Sequence, residues 1–306
     1  LVEDYQYVVE FNGSGYSEAN SNYIQTRSYT DTQTRSARQY FDGLGRAVQA
    51  QANEGSNSLV AGITRYDAVG REWKGWKAYP QSGAMSYDAL YDTTANAYYS
   101  LSGAGPDASG RAFVETTYEA SPLGRVLRVN PEGVSGTGSG TIRYDYGVEA
   151  VDNHNAFWTE ITDQAGKKTR TWADGWGRTL RSTAGYGTGD AAQTNFTYDE
   201  LNQLTMVTSP EGLQTTYQYD KRGLLTQRVS PDAGTTEYMY DDNGQVRFMR
   251  DANLAAATRY LEYTYDFAGR KTLEQTCSGA LPTSLSATCS SPQQAIVYTY
   301  DDANAA

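Results

Sequence analysis

The sequence is nearly without histidine. His154 is the one copy in 306 residues, within the polar stretch "VDNHNAFW". A zinc site or a serine triad gathers its histidine among fixed partners, and neither H-E-x-x-H nor G-x-S-x-G occurs. His154 reads as a loop residue, not a base. Cysteine is almost as scarce. Cys277 and Cys289 flank "SGALPTSLSAT", which is not the short C-x2-C spacing of a metal site. The pair reads as a disulfide stapling a loop with little core of its own, or as two free buried thiols.

Positive charge is also short. Lys and Arg number 25 against 36 Asp and Glu, for a net charge of −11. No Lys/Arg run exists to displace counterions, which argues against nucleic acid as a partner. No apolar stretch approaches the roughly 20 residues a membrane helix needs. The opening "LVEDYQYVVE" has no signal-peptide pattern, as expected of a processed chain or an internal piece. Helical periodicity is nearly absent, and "DANLAAATRYLEY" (251–263) promises a turn or two at most.

What the chain has is tyrosine, 26 copies against 7 Phe and 5 Trp, together with 30 Gly. Tyrosine suits strands with one packed face and a wet edge, because its ring packs while its hydroxyl finds a partner. The tyrosines are periodic. An aromatic residue, then Asp, then Gly or Asn three residues on, recurs along the chain. The copies are Asp42 with Gly45, Asp67 with Gly70, Asp174 with Gly177, Asp199 with Asn202, Asp220 with Gly223, Asp241 with Gly244 and Asp266 with Gly269, and the phrase begins again at Asp301. The spacings are 21 residues from 199 to 220 and 220 to 241, and 25 from 42 to 67, 174 to 199 and 241 to 266. "TYEASPLGR" is a bent copy in which Glu119 replaces Asp and two extra residues precede Gly124.

The unit has a physical reading. Tyr217 and Tyr219 lie two apart and share one strand face. Asp accepts bonds from the amides that follow it, and the fourth residue takes the left-handed conformation that Gly, and next Asn, adopt most readily. A type I turn closed in this way gives a hairpin with a one-residue bulge. "SPEG" (209–212), "SPDAG" (230–234), "TDQAG" (162–166) and "NPEG" (130–133) read as a second turn class alternating with the first. One 21-residue unit is therefore two strands and two turns, too little to stand alone, so units must stack. The expected fold is all-β, with repeated hairpins stacked as a spiral or solenoid sheet. Its divisions are first repeats at 1–74, an irregular loop-rich insertion with the bent repeat at 75–150, and regular repeats at 151–306 with a cysteine-bearing insertion at 272–294.

Chemistry has few footholds in this sequence. The repeat aspartates already have a turn-forming role. No spacing singles out a carboxylate pair for glycoside hydrolysis. "DDNG" (241–244) lacks the 12-residue calcium pattern. The arginines that follow the turn glycine (Arg46, Arg71, Arg125, Arg178, Arg270) read as strand starts pairing with neighbouring acids. Trp73 and Trp76 in "REWKGWKAYP" offer an aromatic platform for sugar, against the ordinary expectation that Trp packs in a core.

The Y-x-Y-D-x-x-G-R phrase resembles the YD-repeat, or Rhs-repeat, family of large bacterial surface and secreted proteins. "NYIQTRSYTD", "RQYFDGLGRAVQA", "RYDAVGREWKGWKAYP" and "FVETTYEASPLGRVLRVNPEG" are similar to the entry domain of long cell-surface members. The resemblance implies a β-rich spiral of hairpins that winds into a hollow shell or tube, which in relatives encloses a toxic C-terminal domain or forms adhesive assemblies. The D-P-x-G self-cleavage segment of toxin-carrying relatives is missing, since no D-P dipeptide occurs. The motif at Asp301 breaks off at "DANAA", so either the polypeptide continues or another subunit supplies the next strand. The expected function is a non-enzymatic, extracellular structural segment, without metal or cofactor. Its expected partners are further repeats or other copies, through open sheet edges. The alternatives are an adhesin or carbohydrate-binding module and a subunit of a head-to-tail filament. Specificity is expected where the phrase breaks down, in 75–150 and in the cysteine-bearing insertion.

Overall fold

Strands form where tyrosine, threonine and β-branched residues alternate, and they end at each Asp-x-x-Gly. The computed structural model describes residues 2–8, 22–29, 34–54, 57–101, 111–152, 154–289 and 291–300. Asp301 lies outside the described residues. The elements in chain order are β1 (Val2–Val8), β2 (Asn22–Tyr29), β3 (Thr34–Phe41), β4 (Ala47–Glu54), β5 (Asn57–Tyr66), β6 (Glu72–Trp76), β7 (Tyr79–Ser82), α1 (Tyr91–Leu101), β8 (Phe113–Tyr118), β9 (Val126–Asn130), β10 (Ile142–Val151) and β11 (His154–Thr162). Then follow β12 (Lys168–Ala173), β13 (Thr179–Ala184), β14 (Ala192–Tyr198), β15 (Leu204–Thr208), β16 (Gln214–Tyr219), β17 (Leu225–Ser230), β18 (Gly234–Tyr240), β19 (Val246–Arg250), α2 (Ala252–Ala256), β20 (Arg259–Tyr265), β21 (Lys271–Ser278) and β22 (Pro292–Val297). The chain folds as two compact units, Leu1–Gly147 with Thr159–Thr169, and Val148–Trp158 with Arg170–Ala306.

In the second unit each strand from β13 to β22 pairs antiparallel with the next. The first unit runs the same way from β1 to β5. There the pattern changes. The ten residues of β5 are shared, with Asn57–Val60 against β7 and Ile63–Tyr66 against β6. Pairing resumes as β6–β8, β8–β9 and β9–β10. The fold is thus the all-β array of hairpins that the repeat implied.

The register slips by one residue just before the turn at Tyr40/Phe41, Arg65/Tyr66, Thr117/Tyr118, Thr197/Tyr198, Gln218/Tyr219, Met239/Tyr240 and Thr264/Tyr265. These are bulges, each carrying one extra residue on the returning strand. The carbonyl that a bulge frees needs a partner. Thr205 and Thr226, which are the skipped residues, donate their hydroxyls to Thr197 O and Gln218 O at 3.1 Å.

Between 75 and 150 the described residues include regular elements. The stretch contributes β7 to β10 and helix α1, which the sequence reading did not anticipate. Tyr91 and Ala95 of α1 are buried, with Tyr99 packed beside them, against Trp76, Tyr79 and Phe113. Those three helix positions are spaced four apart, the signature of one helix face. The Asn96 side chain accepts the backbone N–H of Ala112 at 2.8 Å and ties the helix to the strand that follows. The second unit has two smaller cores, around Trp172 with Val151 and Ala156, and around Phe248 with Tyr260 and Cys277.

Candidate functional site: the turn ladder and its interruptions

The turn at Asp42 shows how the repeated phrase works. Gly45 N–H donates to Asp42 O at 3.0 Å, and Asp42 N–H donates to Arg46 O at 2.9 Å. The carboxylate Oδ1 accepts the backbone N–H groups of Leu44 and Arg46, both at 2.9 Å. The same four bonds, between 2.8 and 3.2 Å, recur at Asp67, Asp174, Asp199, Asp220, Asp241 and Asp266. Asp163 makes the same set, and Ser209 makes three of the four, its hydroxyl accepting the Leu213 N–H at 3.3 Å and donating to the Glu211 carboxylate at 2.8 Å. "TDQAG" and "SPEG" are therefore the same device at the opposite ends of the strands, not a separate class.

The fourth residue is left-handed throughout. Its φ is +77° at Gly45, +91° at Gly70, +82° at Gly177, +84° at Gly223, +83° at Gly244, +79° at Gly269 and +72° at Asn202. The sequence reading assigns these glycines a turn role alone, and that account is incomplete at three of them. A Cβ on Gly70 would come within 3.2 Å of Arg46 Nη1, one on Gly223 within 2.9 Å of Gln203 Nε2 and one on Gly269 within 3.0 Å of Gln245 Nε2. The missing side chain there also leaves room for the residue that follows the previous turn. At Gly244 a Cβ would meet Leu224 only in ordinary contact at 3.6 Å, and at Gly177 it would meet nothing within 4 Å. Those two positions call for glycine through backbone conformation only.

Arginine joins one turn to the next unit. The Nε atoms of Arg46, Arg71, Arg178 and Arg270 donate to Oδ2 of their own turn aspartate at 2.6–2.7 Å. The same guanidinium groups lie over the tyrosine that precedes the next turn, Tyr66 at 4.3 Å, Tyr118 at 4.4 Å, Tyr198 at 5.0 Å and Tyr300 at 4.5 Å. Each of these tyrosines then donates its hydroxyl to a backbone carbonyl just past the previous turn. The bonds are Tyr66 to Ala47, Tyr118 to Glu72, Tyr198 to Thr179, Tyr219 to Leu204, Tyr240 to Leu225, Tyr265 to Val246 and Tyr300 to Lys271, at 2.6–3.1 Å. Where Gln203, Leu224 or Gln245 replaces arginine, the tyrosine bond persists. Arg222 then donates to Asp241 O at 2.8 Å, and Gln245 donates to Gly269 O at 2.9 Å.

The bent copy reaches the same end by another route. Glu119 is longer by one methylene, and its Oε1 accepts from Arg125 N, Arg125 Nε and the Ser121 hydroxyl. Arg125 lies over Tyr146 at 4.4 Å, and Tyr146 donates to Val126 O at 2.7 Å.

The electrostatics follow from these bonds. Hydrogen bonds from Arg125 and then Ser121 hold the Glu119 carboxyl at about 2. Desolvation pushes Asp42, Asp67 and Asp174 upward, but the arginine and amide donors outweigh it and leave all three below the usual range. Asp220 and Asp266 are lowered chiefly by the Leu224 and Arg270 backbone amides. These acids are ionised at neutral pH with donors already on both oxygens, so none is suited to proton transfer. Burial raises the hydroxyls of Tyr66, Tyr118, Tyr146, Tyr198, Tyr219, Tyr240 and Tyr265.

Other candidate positions also find structural partners. Trp76 is 8% exposed and packs edge-on to Tyr91 at 4.9 Å. Trp73, an odd number of residues away on the same strand, sits on the other face, with the Lys74 ammonium 4.3 Å from its ring centroid. The two do not form a shared platform, because strand alternation separates them and the core takes Trp76. His154 opens β11. Cys277 and Cys289 are joined by a disulfide with Cα atoms 5.6 Å apart, and Cys277 is fully buried. Glu262 approaches both sulfurs, but it is held by Arg247 at 2.6 Å and Gln275 at 2.5 Å, and the sulfurs are bonded to each other. In the first unit a buried polar group under residues 83–90 had no signal in the sequence. There Gln49 exchanges bonds with the Asp88 backbone, Gln51 donates to Ser86 O, and the Tyr79 hydroxyl donates to Asp88 at 2.5 Å.

The sequence matches a domain of unknown function, DUF6443, over residues 13–148 and the RHS repeat over residues 198–236. No curated protein matches it. Among solved structures, TcdB2-TccC3 aligns with TM-score 0.63 at 17% identity, covering 92% of this chain and 15% of that one. TcdB2-TccC3-TEV aligns with TM-score 0.60 at 18% identity, covering 89% and 14%. TcdB2-TccC3 without its hypervariable C-terminal region aligns with TM-score 0.59 at 16% identity, covering 84% and 13%. The present chain thus spans between 13% and 15% of the length of these structures. Identity this low establishes the fold alone, but the RHS repeat falls on the turns at Asp199 and Asp220, whose bonds are those of the other described aspartate turns. Residues 198–236 thus carry the RHS repeat, in keeping with the resemblance of the Y-x-Y-D-x-x-G-R phrase to the YD-repeat, or Rhs-repeat, family.

Proposed function

We propose that this chain is a structural wall segment of an extracellular or cell-surface Rhs-type shell, without catalytic activity of its own. The observation that carries this reading is the tyrosine ladder, in which each hydroxyl donates to the backbone of the preceding unit. Residues repeated in this way are consumed by stacking. The disulfide fits an oxidising compartment, and the net charge of −11 keeps a large sheet surface soluble. Among the described residues no helix is long and apolar enough to cross a membrane. Further repeats or other copies are the natural partners, because a strand at the end of such an array offers backbone donors and acceptors to the next unit.

A wall built of units tolerates loss of a whole unit and not of a fraction. Excising the 21 residues Glu200–Asp220 joins Asp199 to Lys221 and regenerates a complete Asp-x-x-Gly turn. That variant is expected to keep a β-type circular dichroism spectrum and a cooperative melt. Excising Ser209–Tyr219, one turn and one strand, is expected to abolish both. Equal damage from the two excisions would refute the repeat-wall reading.

A further inference from the structure

We propose that the first unit carries an oxyanion site for a phosphate group, built on the paired guanidinium groups of Arg128 and Arg143. Arg128 of β9 and Arg143 of β10 are direct partners in the antiparallel register, so their side chains leave the same face of the sheet side by side. Like charges placed directly opposite one another destabilise a sheet. Neither guanidinium has an ion pair, a hydrogen bond or a ring contact among the described residues. Arg46, Arg71, Arg111 and Arg125 of the same unit each hold a carboxylate at 2.7–2.9 Å. The fold thus sets two cations together and gives them no counter-charge.

The acids around the pair are engaged elsewhere. Glu115, opposite Asn130 and one rung from Arg128, is held by Arg111 at 2.9 Å and Lys74 at 3.4 Å. Glu119 belongs to Arg125. Asp145 shares the face of Arg143 two residues on, is exposed, and makes no ion pair with either arginine. On its other flank Arg128 faces Thr117. Arg128 is half-buried and Arg143 exposed, so the pair is open to solvent from one side only. Arg143 also lines a groove of about 370 Å³ with residues 137–141 and 162–166, within the size range of small-ligand sites. Apart from Arg143 and Asp163 the lining is Gly, Ala, Ser, Thr and Gln. Asp163 Oδ1 is committed to its own turn, where it accepts the Ala165 and Lys167 N–H groups at 2.9 and 2.8 Å.

This arrangement selects its ligand by charge and shape. An apolar molecule finds no large apolar side chain in the groove to bury against. A cation is repelled by the pair. A single carboxylate carries one charge and satisfies one guanidinium fork. A phosphate dianion carries two charges and enough oxygens for both forks, the geometry in which arginine binds most strongly. Thr137 and Ser139 in the groove bring hydroxyl donors for the oxygens that remain. Inorganic phosphate and a phosphate monoester share this chemistry.

The test is titration calorimetry of the full chain with inorganic phosphate and with phenyl phosphate, against acetate at matched ionic strength. At least one of the two phosphates is expected to bind with Kd below about 1 mM, and acetate about tenfold more weakly or not at all. Phenyl phosphate binding as tightly as the free ion supports the site with an ester as its ligand, and binding of the free ion alone supports it with inorganic phosphate. Arg128→Gln and Arg143→Gln are each expected to weaken binding about tenfold or more. In phosphate-free buffer both variants are expected to melt no lower than the wild type, because the repulsion is removed. Arg259→Gln, an exposed arginine on β20, is expected to leave affinity unchanged. Absence of binding by both phosphates, acetate as tight as phosphate, or equal affinity in Arg143→Gln and Arg259→Gln would each overturn the proposal. So would a lower melting temperature of the Arg128 and Arg143 variants without phosphate, which would make the pair a structural element. None of these outcomes bears on the wall, which the excision experiment reads separately.

Discussion

A single carboxylate does three jobs at each turn, and the cost of losing it can be stated. At Asp42 one oxygen accepts two amides and the other holds Arg46. Asp42→Ala leaves a partly buried turn without those acceptors, and a loss of about 1–3 kcal/mol is expected in urea denaturation. Asp42→Asn keeps the amide acceptor and loses the ion pair, so its loss is expected to be smaller. The pH dependence has a definite sign. The turn carboxyls titrate lower in the folded chain than in the unfolded one. Their stabilisation is therefore full above the unfolded value of about 4 and is lost as the pH falls toward the folded values, about 2 for Glu119. The urea midpoint is expected to drop steadily between about pH 4 and pH 2, and a flat profile would show that the turn acids contribute nothing.

At the scale of the element, the hairpin is held within itself by aspartate and to its neighbour by arginine and tyrosine. Coupling between the Arg46 guanidinium and the Tyr66 ring, 4.3 Å apart, is expected at about 0.5–1 kcal/mol in a double-mutant cycle with Arg46→Met and Tyr66→Leu as the single changes. The hydroxyls that make the ladder set the alkaline limit. Burial raises these tyrosines above the ordinary value near 10, as at Tyr240 and Tyr265. Their stabilisation is complete below that value and is lost as the pH rises through the folded values. Unfolding with a steep onset above about pH 10 is expected in a fluorescence-detected titration. Much of this scale was legible in the sequence. The turn chemistry of Asp and Gly is local, so the hairpins could be read from spacing alone. The close approach of Arg46 to Gly70 and of Gln203 to Gly223 was not, because each pair spans two units of the stack. Nor was helix α1, although Tyr91, Ala95 and Tyr99 carried its period. Eleven residues with Thr and Asn among them have weak propensity, and the helix rests on packing against Trp76 and Phe113.

For the whole molecule, the last loop depends on its one covalent link. The bond between Cys277 and Cys289 closes a short loop, and Cys277 also fills a core with Phe248 and Tyr260. Reduction, or Cys289→Ser, is expected to lower stability by about 2–4 kcal/mol in denaturant titration. Unchanged stability after verified reduction would remove the link from the account.

The sequence by itself determined the unit, its boundaries and its all-β class, because a turn is fixed by four or five consecutive residues and a strand face by alternation. Only the tertiary structure decided what each unit touches. The arginine of one turn meets the tyrosine about 20 residues further on, "SPEG" makes the same backbone bonds as "YDxxG", and Trp176 stands exposed beside Asp152 while Trp76 is buried. Those outcomes depend on which strands and turns become neighbours in the stack, and no local pattern encodes that.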